Sequence, residues 1–193
     1  MPPKNSIKTL IEGGYYHIYN RGVAKQPIFL DEQDYQVFLR FLKEYLLPVE
    51  HQDLKELQRF TPRRHPVNCY TQVELLAYCL MPNHFHLLVK NISQKGVERF
   101  MRAFGTNYSM YFNKKYKRVG PLYQGVYKAV AIETDEQLVY ISKYIHMNPR
   151  ELIARERPLH EYPYSSYLNY LERRRQDWIH PNAILDFFSK EFP

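Results

Sequence analysis

Two short apolar runs lie back to back near the middle of the chain, Leu75–Leu80 (LLAYCL) and His86–Val89 (HLLV). Met81–Pro82–Asn83 separates them, and proline and asparagine favour a turn there, so the pair predicts a hairpin in mid-sheet. Upstream, Asp31 can cap a helix whose apolar positions Tyr35, Phe38, Leu39, Leu42, Tyr45 and Leu46 recur at helical spacing up to Pro48. Downstream, Phe100, Met101, Phe104, Tyr108 and Tyr111 trace a second amphipathic helix from Val97 into the basic segment Asn113–Arg118, ended by Gly120–Pro121. Gly14–Asn20 (GYYHIYN) and Val126–Glu133 (VYKAVAIE) flank the helices and read as strands.

The order is therefore β-α-β-β-α-β. It predicts an α+β fold of the ferredoxin-like kind, an antiparallel sheet with helices on one face. Thr134–Asp135–Glu136–Gln137 has the form of a capping box and opens a third helix, which Pro149 closes. The main body is expected over 1–150. Within it an inserted loop spans 48–72, where Val49–Thr71 carries Pro62, Pro66 and Arg63–Arg64–His65 with no sustained period. Residues 151–193, with a tyrosine-rich piece Tyr162–Tyr170 and the apolar Ile184, Leu185, Phe187 and Phe188, predict a helical C-terminal extension packed on that body.

A chain of 193 residues is too short for a full (β/α)8 barrel, which needs roughly 200 to 250. No run approaches the ~18 apolar residues of a membrane span, and Met1–Lys8 lacks the apolar core of a signal peptide, so a cytoplasmic protein without membrane contact is expected. Cys69 and Cys79 have no CxxC spacing and read as free thiols. The net charge of +7 allows a polyanionic partner, although a charge of this size also serves solubility.

Chemistry enters with His84–Phe85–His86. Alternation along a strand puts both imidazoles on one face and Phe85 on the other. Two imidazoles so placed can grip one metal ion; they can equally be ordinary polar residues on a solvent face. On the third helix, Tyr144 and Asn148 lie one turn apart on a face that Ile141 ties to the buried side, which sets a phenol and a carboxamide opposite the histidines. Taken without the histidines, Tyr144 would be one more of 18 tyrosines and Asn148 a helix C-cap. His146, two positions beyond Tyr144, points away from it. Tyr108 and Tyr111 also sit on a helix, but neither has a metal-binding partner four residues on.

MPNHFHLLV at Met81–Val89 together with YISKYIHMNP at Tyr140–Pro149 resembles the single-tyrosine HUH transposases, in particular the REP-associated tyrosine transposase branch. YHIYNRG at Tyr16–Gly22, PIFLDEQDYQVFL at Pro27–Leu39, GPLYQGVYKA at Gly120–Ala129 and YPYSSY at Tyr162–Tyr167 extend the likeness over most of the chain. The resemblance implies a metal-dependent enzyme that cuts and rejoins single-stranded DNA near REP-like hairpins without ATP. It implies Mg2+ or Mn2+ held by His84, His86 and Asn148, with Tyr144 as nucleophile forming a 5′-phosphotyrosine. It is compatible with a monomer or a homodimer, and it puts 1–150 as the catalytic domain.

Lys114, Lys115, Lys117 and Arg118 surround Tyr116, with Tyr123 and Lys128 close behind; this interleaving suits phosphate contacts and base stacking, or alternatively a solvated helix end. Arg21, beside the first strand, is expected to contact DNA as well. Two other readings stand beside strand transfer. One is a non-catalytic nucleic-acid-binding regulator on the same fold. The other is a hydrolytic metalloenzyme whose histidine pair activates water.

Overall fold

The computed structural model describes residues 9–48, 50, 67–154 and 156–191, so most of the loop expected over 48–72 lies outside the described residues. The elements are β1 (Tyr15–Arg21), α1 (Glu32–Leu46), β2 (Val73–Met81), β3 (His84–Asn91), α2 (Gly96–Lys115), β4 (Lys128–Ile132), α3 (Asp135–Met147), the four-residue α4 (Tyr167–Tyr170) and α5 (Asn182–Glu191). The strands form one antiparallel sheet in the order β2-β3-β1-β4, the ferredoxin-like arrangement that the element order predicts.

The helix starts follow their caps. Asp31 accepts from the Asp34 amide at 3.1 Å, and the Asp34 side chain accepts in return from the Asp31 amide, a reciprocal box that starts α1. At α3, Thr134 accepts from the Gln137 amide at 3.2 Å, but the Gln137 side chain reaches past Thr134 to the Glu133 amide at 2.9 Å. The box there is displaced by one residue, and the helix begins where the sequence places it.

The two helices of the β-α-β-β-α-β unit cover one face, as expected. There Phe38, Phe41, Leu42 and Tyr45 of α1 and Phe100, Phe104 and Tyr108 of α2 bury against Tyr78, Leu80, Phe85, Leu87 and Val89. Truncating a ring at such a position, Phe38→Ala for example, costs about 3–5 kcal/mol through lost transfer energy and the cavity left behind. The opposite face carries a smaller core, in which Leu138 and Ile145 of α3 and Ile184 of α5 meet Leu76, Cys79, Met81 and Leu88. A register shift between Leu75 and Ala77 divides β2 between these cores. The extra residue puts Leu76 and Ala77 on the α3 side and lets Tyr78 and Leu80 return to the α1/α2 side.

The C-terminal segment does more than add helices. Leu80 donates its amide to the Tyr164 carbonyl at 2.9 Å, Ser166 donates to the Tyr78 carbonyl at 3.0 Å, and His180 donates to the Leu75 carbonyl at 2.8 Å, so the tail runs along the outer edge of β2. An otherwise unpaired edge is thereby covered by the chain itself. Among the described residues no helix is long and apolar enough to cross a membrane.

Candidate active site

Strand register builds the site. Across the sheet, Cys79, His86, Tyr19 and Lys128 occupy one row, and Met81, His84 and Arg21 the next. Alternation turns both rows toward α3, because Phe85 and Ile18 beside them are buried in the opposite core. A cleft of about 1000 Å³ opens between these rows and α3, and it is lined by His17, Arg21, His84, His86, Lys128, Tyr140, Tyr144, Asn148 and Glu151 among others.

Tyr144 stands over the histidines. Its ring centroid lies 5.7 Å from that of His86 at 83°, and 6.0 Å from that of His17 at 73°. It is 45% exposed and lines the cleft. Asn148, one turn further along, donates its amide nitrogen to the Tyr144 carbonyl at 2.8 Å. Only the NH2 group can pair with a carbonyl, so this bond leaves the amide oxygen for the cleft. His146 is buried on the other side of α3, its Nε2 2.9 Å from the Ser166 hydroxyl, as its position in the sequence predicts.

The histidines are held in a defined state. His84 Nδ1 lies 2.7 Å from the Asn83 side-chain oxygen, which can only accept, so that nitrogen carries the proton and Nε2 keeps its lone pair. His86 Nδ1 lies 2.8 Å from His17 Nε2, and the two rings stack with centroids 5.0 Å apart. Burial, then the Arg21 charge, pulls His84 down to about 4, against a hydrogen bond to Asn148 that raises it. Burial, followed by the cost of protonating His86 beside His17 and His84 and by the Arg21 charge, holds His86 well below the usual imidazole range, and burial alone takes His17 down to about 4. All three rings are therefore neutral near pH 7.

These groups fit a divalent cation. His86 Nε2 is enclosed and makes no hydrogen bond of full geometry, although the Asn148 side chain lies near enough to raise the His86 pKa. A buried ring nitrogen without a good partner suits a ligand position. Among the described residues no group of three His, Cys, Asp or Glu could hold a metal, so the third protein donor would be the Asn148 carboxamide. His17 is the residue that the sequence reading missed. The signal was present in the two-residue period of β1, which puts His17 on the face of Tyr19 and Arg21 and Tyr16 and Ile18 on the other. Tyr140 was missed too. It is one turn before Tyr144, 66% exposed, and lines the same cleft.

The expected DNA contacts separate into groups. Arg21 and Lys128 line the cleft. Lys114 and Lys117 are exposed and Arg118 half-buried near the C-terminal end of α2, with the Arg118 guanidinium 5.6 Å from the Phe112 ring centre, and none of the three lines the cleft. Lys115 differs from the expectation, because its ammonium is 2.7 Å from Asp31 and 2.9 Å from Asp34 and ties α2 to the start of α1. Tyr123 is likewise no stacking platform. Its ring packs edge-on against Phe85 at 5.9 Å in the α1/α2 core, with its hydroxyl enclosed. The alternation of basic and aromatic residues there arises because the rings face inward and most of the charges face out.

The model of the family described as "Transposase IS200 like" matches residues 50–148, just over half of the chain, and spans His84, His86, Tyr144 and Asn148. The chain belongs to this family. The IS200-like transposase also shares its fold with a solved REP-associated tyrosine transposase bound to a REP hairpin, at 15% identity, with 90% of each chain covered and a TM-score of 0.57. A candidate transposase from Deinococcus radiodurans R1 matches at 16% identity over 75% of this chain and 95% of its own, with a TM-score of 0.32, a likeness too slight to argue from. No curated protein matches the sequence.

Proposed function

We propose that this IS200-like transposase is a metal-dependent strand transferase of the REP-associated branch, which cuts single-stranded DNA beside a hairpin and holds the cut end on Tyr144. The observation that carries the reading is the Tyr144 ring, open to solvent and edge-on to His86 at 5.7 Å, in one cleft with His84 and Asn148. The hairpin in the structure of the REP-associated transposase supports hairpin DNA as substrate.

Mg2+ or Mn2+ on His84, His86 and Asn148 would supply Lewis-acid polarisation of the scissile phosphate. The remaining steps belong to the chain. The Tyr144 hydroxyl attacks phosphorus, a tyrosyl O–P bond forms as the P–O3′ bond breaks, the phenolic proton passes to water, and the 3′ oxygen takes a proton from water. The 5′-phosphotyrosine keeps the phosphodiester energy, so attack by another 3′-hydroxyl reverses the step and rejoins DNA without ATP. Asn148 is oriented by its bond to the Tyr144 carbonyl, and His86 by His17. In this reading 1–150 is the catalytic body and 151–193 its extension, of which Tyr164, Ser166 and His180 pair with the edge of β2.

The test is covalent. The protein is incubated with hairpin-bearing single-stranded DNA and Mn2+, and denatured samples are examined for a protein–DNA adduct. An adduct lost in Tyr144→Phe supports the proposal. Binding without any adduct favours a regulator, and cleavage indifferent to Tyr144 with no adduct favours metal-activated water; either result overturns it.

A further inference from the structure

We infer that Arg21 is a catalytic residue of this site, whose guanidinium grips the non-bridging oxygens of the scissile phosphate rather than a phosphate of the flanking hairpin. The inference rests on the strand-transfer reading above and adds to it the group that neutralises the reacting phosphate.

Position comes first. Arg21 is the last residue of β1 and stands in register opposite His84, which puts the two side chains side by side on the α3 face. It lines the same cleft as Tyr144 and Asn148, and its charge is felt by both His84 and His86. A phosphate within reach of Tyr144 and these histidines is therefore within reach of Arg21, whereas a phosphate at the helical layer near Lys114 is not.

The backbone there is fixed. The Arg21 amide donates to the Asn20 side chain at 2.9 Å, its carbonyl accepts from the Gln124 amide at 2.9 Å, and the next amide, Gly22, donates to the Asn83 carbonyl at 2.8 Å. A side chain on Gly22 would put its Cβ 2.1 Å from the Gln26 carbonyl oxygen, so this close turn admits only glycine. A cation on such a rigid base needs little reorganisation when charge develops on the phosphate.

Charge balance then asks for an anion. His84, His86 and Asn148 are uncharged, and among the described residues no carboxylate forms an ion pair with Arg21. Among the described residues lining the cleft, Glu151 is the single acidic one, against the cations Arg21 and Lys128. The planar guanidinium fork matches two phosphate oxygens at once, which an ammonium cannot do. Arg21 gives up and takes no proton; it stabilises charge while the Tyr144–phosphorus bond forms and the P–O3′ bond breaks.

The experiment compares a phosphodiester with an uncharged methylphosphonate at the scissile linkage of the hairpin oligonucleotide that forms the Tyr144 adduct. With the phosphodiester, Arg21→Ala is expected to slow cleavage by about 10²–10³-fold, the scale of losing one preorganised donor to a developing anion. With the methylphosphonate, one phosphate charge is already gone, and the gap between wild type and variant should fall to about tenfold or less. Arg21→Lys should fall between, having charge without the fork. Mn2+ titration of the DNA-free variants, expected to show affinity unchanged or tighter than wild type, reports that fold and ligand set are intact. An unaltered phosphodiester rate in Arg21→Ala, or a gap that persists with the methylphosphonate, overturns the assignment while leaving Tyr144 in place. Absence of a wild-type adduct overturns the strand-transfer reading and this inference with it.

Discussion

His17 Nε2 and His86 Nδ1 face each other across 2.8 Å in the floor of the cleft. One proton serves both nitrogens. If His86 donates it, its Nε2 is left with the lone pair that a metal requires, which is the arrangement that an outer-shell partner enforces on a ligating histidine. His17→Phe keeps the ring and removes the partner, so Mn2+ affinity measured by calorimetry should fall by about 10–100-fold, with partial recovery in His17→Gln. Equal affinity in His17→Phe would show that His86 is oriented without His17.

Tyr140 and Tyr144 share one face of α3, and only Tyr144 stands over the histidine rings. Tyr144→Phe should abolish the adduct, and Tyr140→Phe should leave it. Because Tyr144 is half exposed, its hydroxyl adds little to the fold, and the Phe variant should change stability by no more than about 0.5 kcal/mol in denaturant unfolding. An adduct on Tyr140 in the Tyr144→Phe protein would move the nucleophile by one turn.

Lys115 belongs to the α1/α2 junction. Asp34 is fully buried and receives bonds from Lys115, Tyr111, Tyr116 and the Leu30 amide. Lys115→Met should destabilise the protein by about 1–3 kcal/mol, because a buried acceptor loses a charged donor. Affinity for single-stranded DNA, read by fluorescence anisotropy, should stay near wild type in that variant. In Lys128→Met, which removes a charge from the cleft, the order should reverse.

Acid should loosen the contact between α3 and the tail. Burial lowers His146 from an ordinary value near 6.5 to about 3, so the unfolded chain takes up its proton first as pH falls. Stability from this residue is complete above pH 6.5 and is lost progressively down to about pH 3, with a slope of up to about 1.4 kcal/mol per pH unit. Urea unfolding of His146→Gln should show a shallower decline than wild type between pH 6 and 4, by about that slope. Parallel declines would place the acid sensitivity elsewhere.

The sheet and its first three helices were legible because each rests on local chemistry: the Asp31 and Thr134 caps, the helical spacing of Phe38 and Leu42, and the hairpin turn at Pro82. The placement of His84, His86, Tyr144 and Asn148 around one cleft was legible for the same reason, since strand alternation and helix spacing fix faces. What could not be read depends on contacts distant in sequence. His17 acquires its meaning from a side chain on the neighbouring strand, 69 residues away. Tyr123 and Lys115 look like surface groups in a basic run until the fold brings Phe85 and Asp34 against them. The edge pairing of Tyr164 and Ser166 with β2 has no signature in the tail itself, because an edge strand offers its backbone to whatever sequence arrives.

The same tail hydroxyl that meets His146 also accepts the Tyr78 amide at 2.8 Å, so Ser166 bolts the helix bearing Tyr144 to the rim of the sheet. The IS200-like match ends at residue 148, before this bolt. Sequence modularity and mechanical modularity therefore part company here: a version ending at residue 148 would retain every proposed ligand and the nucleophile, yet lose the brace that keeps them aligned.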